Sequence, residues 1–173
     1  MEPRDGMTEN AVETVRRREG KYLSFSLGRE EYGIGILKVK EIIGMMRITS
    51  IPQCSHFVKG VINLRGKVIP VIDLRLRFGM EAGDYTDRTC IIVVEIDNGN
   101  RKVQVGMVVD SVSEVLNIKD SEVEDRPASA TSGGEADFIL GIAKSSGGVK
   151  ILLDIDCVLN GTATAETGLD DAA

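Results

Sequence analysis

The apolar positions of this chain fall in runs of four to eight residues, rich in Val and Ile and broken by Gly, Asn and Asp. Runs of that length and composition predict strands. Tyr22–Leu27 and Tyr32–Ile36 read as a hairpin around Gly28–Glu31. Ile91–Ile96 and Lys102–Val109 read as another around Asp97–Asn100, where Asn98 and Gly99 supply the positive φ that a tight turn requires. A short helix-like or irregular link containing Val-x-Glu-Ile/Val follows each hairpin, and a Gly-framed strand pair follows each link.

The second half repeats the first. Phe57–Leu74 matches Phe138–Ile155 at an offset of 81, pairing Phe57 with Phe138, Gly60 with Gly141, Gly66 with Gly147, Val68 with Val149 and Asp73 with Asp154. Upstream, Tyr32–Ile43 matches Val105–Leu116 at an offset of 73, with Gly33/Gly106, Val39/Val112 and Glu41/Glu114 coinciding. Two matched blocks in the same order mean one supersecondary plan used twice. Four to five short antiparallel strands per copy predict a small closed barrel with few exposed edges.

The expected architecture is mainly β: two pseudo-repeated, five-stranded, SH3-like barrels around a shared core and groove, with short helices. The barrels are placed near residues 21–80 and 85–160, with mobile tails at 1–20 and 161–173. A unit of about 60 residues buries only about 60% of its unfolded surface, so neither copy is expected to stand alone. A crevice between two copies is also a natural seat for a partner.

Composition narrows the function. No apolar run approaches the roughly 20 residues of a membrane span. Residues 1–20 carry no apolar h-region, so direct membrane insertion and secretion are not expected, and the expected location is the cytoplasm. Cys54, Cys90 and Cys157 are odd in number and in strand-like or pre-strand settings, which fits reduced, mostly buried thiols. Net charge is -6, but residues 1–20, 119–137 and 160–173 contribute -1, -4 and -3, leaving about +2 for the rest. Within residues 38–77, Lys38, Lys40, Arg47, Lys59, Arg65, Lys67, Arg75 and Arg77 face only Glu41 and Asp73. That excess either steers the chain toward an acidic protein surface or simply solvates outward strand positions.

Catalytic chemistry finds little support. His56 is the only histidine, and Cys54 beside it lacks a second cluster of ligands, so neither a nucleophilic pair nor a metal site is expected. Gly33-Ile34-Gly35 is not followed by Gly-Lys-Ser/Thr and reads as close strand packing rather than a phosphate loop. No cofactor is implied. Asp73 and Asp154 end equivalent strands and are expected to cap turns. Glu41 and Glu114 lie in the links, where they either bond a loop or helix terminus or stand beside the inter-barrel groove. Arg65 has no counterpart, since Asn63-Leu64-Arg65 becomes Lys144-Ser145-Ser146. It is therefore not required merely to build a barrel, and it can bind a carboxylate of a partner or of Glu41 or Asp73.

Tyr32-Gly33-Ile34 with Ile36, Val39, Glu41 and Ile42, the run Lys59–Leu74 with Phe78, Val105–Val115, and Ile151–Asp154 together resemble the CheW family of bacterial chemotaxis coupling proteins across residues 20–160. The resemblance implies the same two-barrel fold and an adaptor without catalysis. Its implied partners are the signalling tip of methyl-accepting chemotaxis receptors and the regulatory domain of the histidine kinase CheA, with the chain a monomer when isolated and recruited to membrane-associated arrays. The family's receptor contact maps onto Ile36, Val39, Glu41, Ile42, Gly60, Asn63, Arg65, Val112 and Val115. The resemblance does not place the kinase-binding residues; the acidic 119–137 segment is a candidate for a second, ring-forming contact.

A receiver domain or kinase domains, which some relatives add, are not expected within these 173 residues. The competing class is a nucleic-acid-binding pair of SH3-like barrels using the basic 38–77 segment. It needs exposed aromatics for stacking, and the chain has no Trp, three Tyr and four Phe.

Overall fold

The computed structural model describes residues 18–125, 138–145 and 148–160. Strands are β1 (Gly20–Leu27), β2 (Glu30–Gly35), β3 (Val39–Gly44), β4 (Val58–Leu64), β5 (Lys67–Asp73), β6 (Cys90–Asn98), β7 (Arg101–Val109), β8 (Ser111–Ile118), β9 (Val123–Glu124), β10 (Ile139–Ser145) and β11 (Gly148–Leu153). Two short helices, α1 (Leu74–Arg77) and α2 (Ile155–Leu159), follow β5 and β11, and a one-turn 3-10 helix, Ile36–Lys38, precedes β3.

The strands form a five-stranded sheet in the order β3-β6-β7-β5-β4 and a six-stranded one in the order β8-β1-β2-β11-β10-β9. This corrects the expected division at residues 21–80 and 85–160. β1 and β2 lie with the late strands, and β6 and β7 lie with β4 and β5, so each sheet draws on both halves. The exchange follows the repeat. Val71 of β5 runs parallel to Gly106 of β7, and Leu152 of β11 runs parallel to Gly33 of β2. Those partners are equivalent residues under the two offsets.

β6 shows why the sequence folds this way. Its apolar run is buried on both faces, so alternate residues enter different cores. Ile91 and Val93 join Ile62, Ile69, Val71 and Val108 inside the five-stranded barrel. Ile92, Val94 and Ile96 join Phe25, Leu27, Ile34, Met107 and Leu153 in a core shared by the two sheets. Tyr22, Ile118, Val123, Ala143 and Leu152 fill the six-stranded barrel. Each fully buried aliphatic side chain contributes about 1.5–3 kcal/mol, and the shared core ties the copies into one unit.

Equivalent details recur in the copies. Register slips between Val58 and Gly60 in β4 and between Ile139 and Gly141 in β10. The Asp73 N–H donates to the Phe57 carbonyl at 2.8 Å, and the Asp154 N–H to the Phe138 carbonyl at 2.7 Å. Asp73 Oδ1 accepts from the Arg75 N–H at 3.0 Å and Asp154 Oδ1 from the Cys157 N–H at 3.3 Å, capping α1 and α2. The expected capping role holds, at helix starts rather than turns. The links expected to be helix-like or irregular are strands β3 and β8, since each pairs with the first strand of a hairpin.

Candidate partner-binding site

The candidate receptor residues occupy three places. Ile36 lies on the 3-10 turn, and Val39, Glu41 and Ile42 follow it on β3; Gly60 and Asn63 are on β4, with Arg65 in the turn to β5; Val112 and Val115 are on β8. β3 and β8 are equivalent under the repeat, and each is an edge strand of its sheet. Ile36, Val39 and Val112 are half-buried against the one shared core. Ile42 and Val115 remain 44% and 52% exposed. Apolar side chains therefore stand on both edge strands.

The structure joins Glu41 to Arg65 directly. Arg65 Nη2 lies 2.6 Å from Glu41 Oε1 and 2.8 Å from Oε2, and Nη1 lies 3.3 Å from Oε2. Arg65 and Gly66 form a two-residue hairpin turn with φ of 55° and 85°. Positive φ at both central residues is the type I′ pattern, which Gly takes freely and Arg only at a cost. Asn63 Oδ1 accepts the Gly66 N–H at 2.8 Å and so fixes the turn. The guanidinium side chain is still 67% exposed, with donors left for a partner.

Gly60 has a different role. It is buried at φ 144°, and a Cβ there would sit 2.0 Å from the Thr49 carbonyl oxygen. The Thr49 and Val61 backbones bond across this point at 2.8 and 2.9 Å, so Gly60 is required for close backbone approach. Glu114 differs from its mate Glu41: its backbone N–H and carbonyl both bond the buried Ser24 hydroxyl, at 3.2 and 3.0 Å. Lys144, in the segment that replaces Asn63–Arg65, pairs with Glu124.

Most of the basic 38–77 segment is already engaged. Lys38 pairs with Asp156 at 2.7 Å and Asp97 at 3.6 Å, and Lys40 with Glu95 at 3.3 Å. Arg75 Nε and Nη2 grip Asp110 at 2.8 and 2.6 Å. Arg77 lies between the rings of Phe57 and Phe138, 5.0 and 4.7 Å from their centroids. Lys59 stands over the Tyr85 ring. Tyr85 donates to Asp73 Oδ2 at 3.2 Å, and burial together with that carboxylate pushes its phenol up to about 12. The positive excess is thus mostly internal pairing.

The sites weighed for catalysis have structural partners. The Cys54 thiol donates to the Ile51 carbonyl at 3.0 Å, and His56 meets the Phe57 ring edge-on. The thiols are less buried than expected: Cys54 and Cys90 are half-buried, and Cys157, on a helix rather than a strand, is exposed. Among the described residues no three His, Cys, Asp or Glu side chains are grouped to hold a metal. No helix among them is long and apolar enough to cross a membrane. Of the acidic 119–137 segment, residues 126–137 lie outside the described residues, as do 1–17 and 161–173.

Comparison with known proteins decides the family. The CheW-like domain profile matches residues 21–163. The chain belongs to the CheW family. It is 39% identical over 150 residues to chemotaxis protein CheW of Klebsiella aerogenes, covering 87% of this chain and 86% of that one. It is 32% identical to the Bacillus subtilis CheW, over 88% of this chain and 94% of the relative. The crystal structure of the scaffolding protein TtCheW from Thermoanaerobacter tengcongensis superposes with a TM-score of 0.70 at 37% identity, covering 82% of this chain and 92% of that one. CheW membership agrees with the mainly β fold of two SH3-like barrels.

Sequence reasoning missed three features of this CheW-like chain. Leu37 is 93% exposed beside the half-buried Ile36, where only a break in alternation marks it. Arg77 bridges the two repeat-related phenylalanines, a contact between halves that no local pattern encodes. Lys150, buried on β11, pairs with Glu31 on β2 at 2.7 Å, across the parallel junction of the repeats.

Proposed function

We propose that this chain is a non-catalytic adaptor that couples methyl-accepting chemoreceptors to the regulatory domain of the histidine kinase CheA within membrane-associated arrays. The receptor face is formed by Ile36, Val39, Glu41, Ile42, Asn63, Arg65, Val112 and Val115, with Gly60 fixing the backbone beneath it. The observation that carries this reading is the Arg65–Glu41 bridge, an exposed guanidinium above an edge strand whose Val39 and Ile42 offer apolar surface. An amphipathic helical hairpin binds such a surface by laying its apolar stripe along it while Arg65 bonds the polar flank. Kinship with chemotaxis proteins and with a scaffolding protein supports the same role.

Calorimetric titration of the full chain against a receptor signalling-tip fragment, and separately against the kinase regulatory domain, tests it. Both partners should bind with Kd on the order of 1 μM, about 8 kcal/mol, and Arg65→Ala and Val39→Glu should lose only the receptor. Failure of the wild type to bind either partner would overturn the reading.

A further inference from the structure

We infer that Leu37 is an apolar anchor of the receptor contact and that the acidic groove beside it receives a basic side chain of the same receptor helix. This inference rests on the adaptor reading above and extends its surface to a residue and a groove outside the set named there.

Leu37 is 93% exposed, more than any other large apolar side chain among the described residues. It is also held in place. Ile36 on one side packs into the shared core. Lys38 on the other bonds Asp156 Oδ2 at 2.7 Å and Asp97 Oδ2 at 3.6 Å, while Asp156 Oδ1 accepts the Asp97 N–H at 3.1 Å. The turn is pinned to β6 and α2, so presenting Leu37 to a partner costs little ordering entropy. A rigid apolar knob on a polar rim is the arrangement from which binding hot spots are built.

The groove at its foot, about 610 Å³, is floored by Tyr22, Leu140 and Ile155. Glu19, Asp97, Asp154 and Asp156 line it against Lys21 and Lys38. Asp154 is used in capping α2 and Lys38 is satisfied by two acids, whereas Glu19 makes no ion pair with another described residue. Lys21 on the same lining offsets Glu19, but four acids against two lysines leave the groove net acidic, which favours Lys or Arg from the partner. The occupant is the receptor helix because Leu37 lies between Ile36 and Val39, on the turn that leads into β3.

The test is titration of the full chain with the receptor-tip fragment and the kinase regulatory domain. Leu37→Asp should weaken receptor binding on the order of tenfold or more, while Leu37→Met stays within about threefold of wild type. Kinase binding and thermal midpoint should be unchanged in the Leu37 variants. Added salt should weaken receptor binding less in Glu19→Gln than in wild type. Receptor binding by Leu37→Asp within about twofold of a wild type that binds normally, or an equal loss of kinase binding, overturns the inference alone. A wild type that binds no receptor fragment overturns the adaptor reading and Leu37's part with it.

Discussion

Arg65 and Glu41 join the two open edges of the five-stranded sheet. Glu41 lies on β3, one edge, and Arg65 in the turn at the end of β4, the other, yet their charged groups approach to 2.6 Å. Strands with three others between them meet only if the sheet curls on itself, so this pair marks the closure of the barrel. Closure also draws Arg65 to β3, the strand that carries Val39 and Ile42.

Arg65 occupies a left-handed backbone position at φ 55°, which costs an L-residue about 1–2 kcal/mol. Its ion pair is exposed and worth about 0–1 kcal/mol. Arg65→Gly should therefore leave the protein as stable as wild type or slightly more so, and Arg65→Ala slightly less. Both should weaken receptor binding by about 1–3 kcal/mol, the range for lost charge-assisted bonds. Thermal melts and titrations of the two variants check this. A large fall in melting temperature for Arg65→Gly would show that the bridge holds the barrel shut.

Gly60 and Gly141 are repeat mates with different tolerances. A Cβ at Gly60 meets backbone, 2.0 Å from the Thr49 oxygen, at φ 144°. At Gly141 its nearest neighbour is a side-chain methyl, Val123 Cγ1, at 2.5 Å. Gly60→Ala should destabilise by about 3 kcal/mol or more and Gly141→Ala by less, since Val123 sits on a two-residue edge strand that can shift. Urea unfolding gives both values, and the reverse order would contradict the geometry.

Arg77 stacks between Phe57 and Phe138, and its Nε donates to the Val158 carbonyl at 3.1 Å. It links the residues just before β4 and β10 to α2, and so both halves of the chain. Arg77→Leu keeps apolar contact but loses the cation–π pairs and the hydrogen bond, and should cost about 1–3 kcal/mol. Arg77→Lys should cost nearly as much, because an ammonium cannot stack flat between two rings. A neutral effect of Arg77→Lys would show that charge alone matters there.

The hairpins, the Gly-framed pairs and the capping aspartates were legible in the sequence because each is local and the repeat states it twice. The interleaving was not. Period-2 alternation tells which face a residue occupies but not which strand lies beside it, and the parallel pairings, such as Lys150 with Glu31, join residues 119 positions apart. The links escaped notice as strands because β3 alternates only between half-buried and exposed positions and both links carry irregular pairing. The basic excess left two readings open because charge counts ignore partners: Asp97, Asp110 and Asp156, which neutralise Lys38 and Arg75, come from the other half of the chain. For the candidate face, the residue types were visible, but the bridge between Arg65 and Glu41 depends on barrel closure.

Arg75 and Asp110 supply the last prediction, a dependence on pH. Asp110 accepts two hydrogen bonds from the Arg75 guanidinium and one from the Gly28 N–H at 2.8 Å. The Arg75 hydrogen bonds hold its carboxyl below the ordinary value of 3.8, with burial opposing and the Gly28 bond and Arg75 charge assisting. A carboxyl held lower in the fold than in the unfolded chain stabilises fully above the unfolded value and loses that contribution as pH falls through the folded one. Wild type should therefore exceed Arg75→Met in stability at neutral pH, and the gap should narrow as pH falls below 3.8. Urea midpoints of both proteins between about pH 7 and pH 2 give the gap directly, and Asp110→Asn should flatten its slope. A gap that stays constant down to the lowest pH would mean that Arg75 acts through its stem packing and its bond to the Glu81 carbonyl, with no contribution from the charge on Asp110.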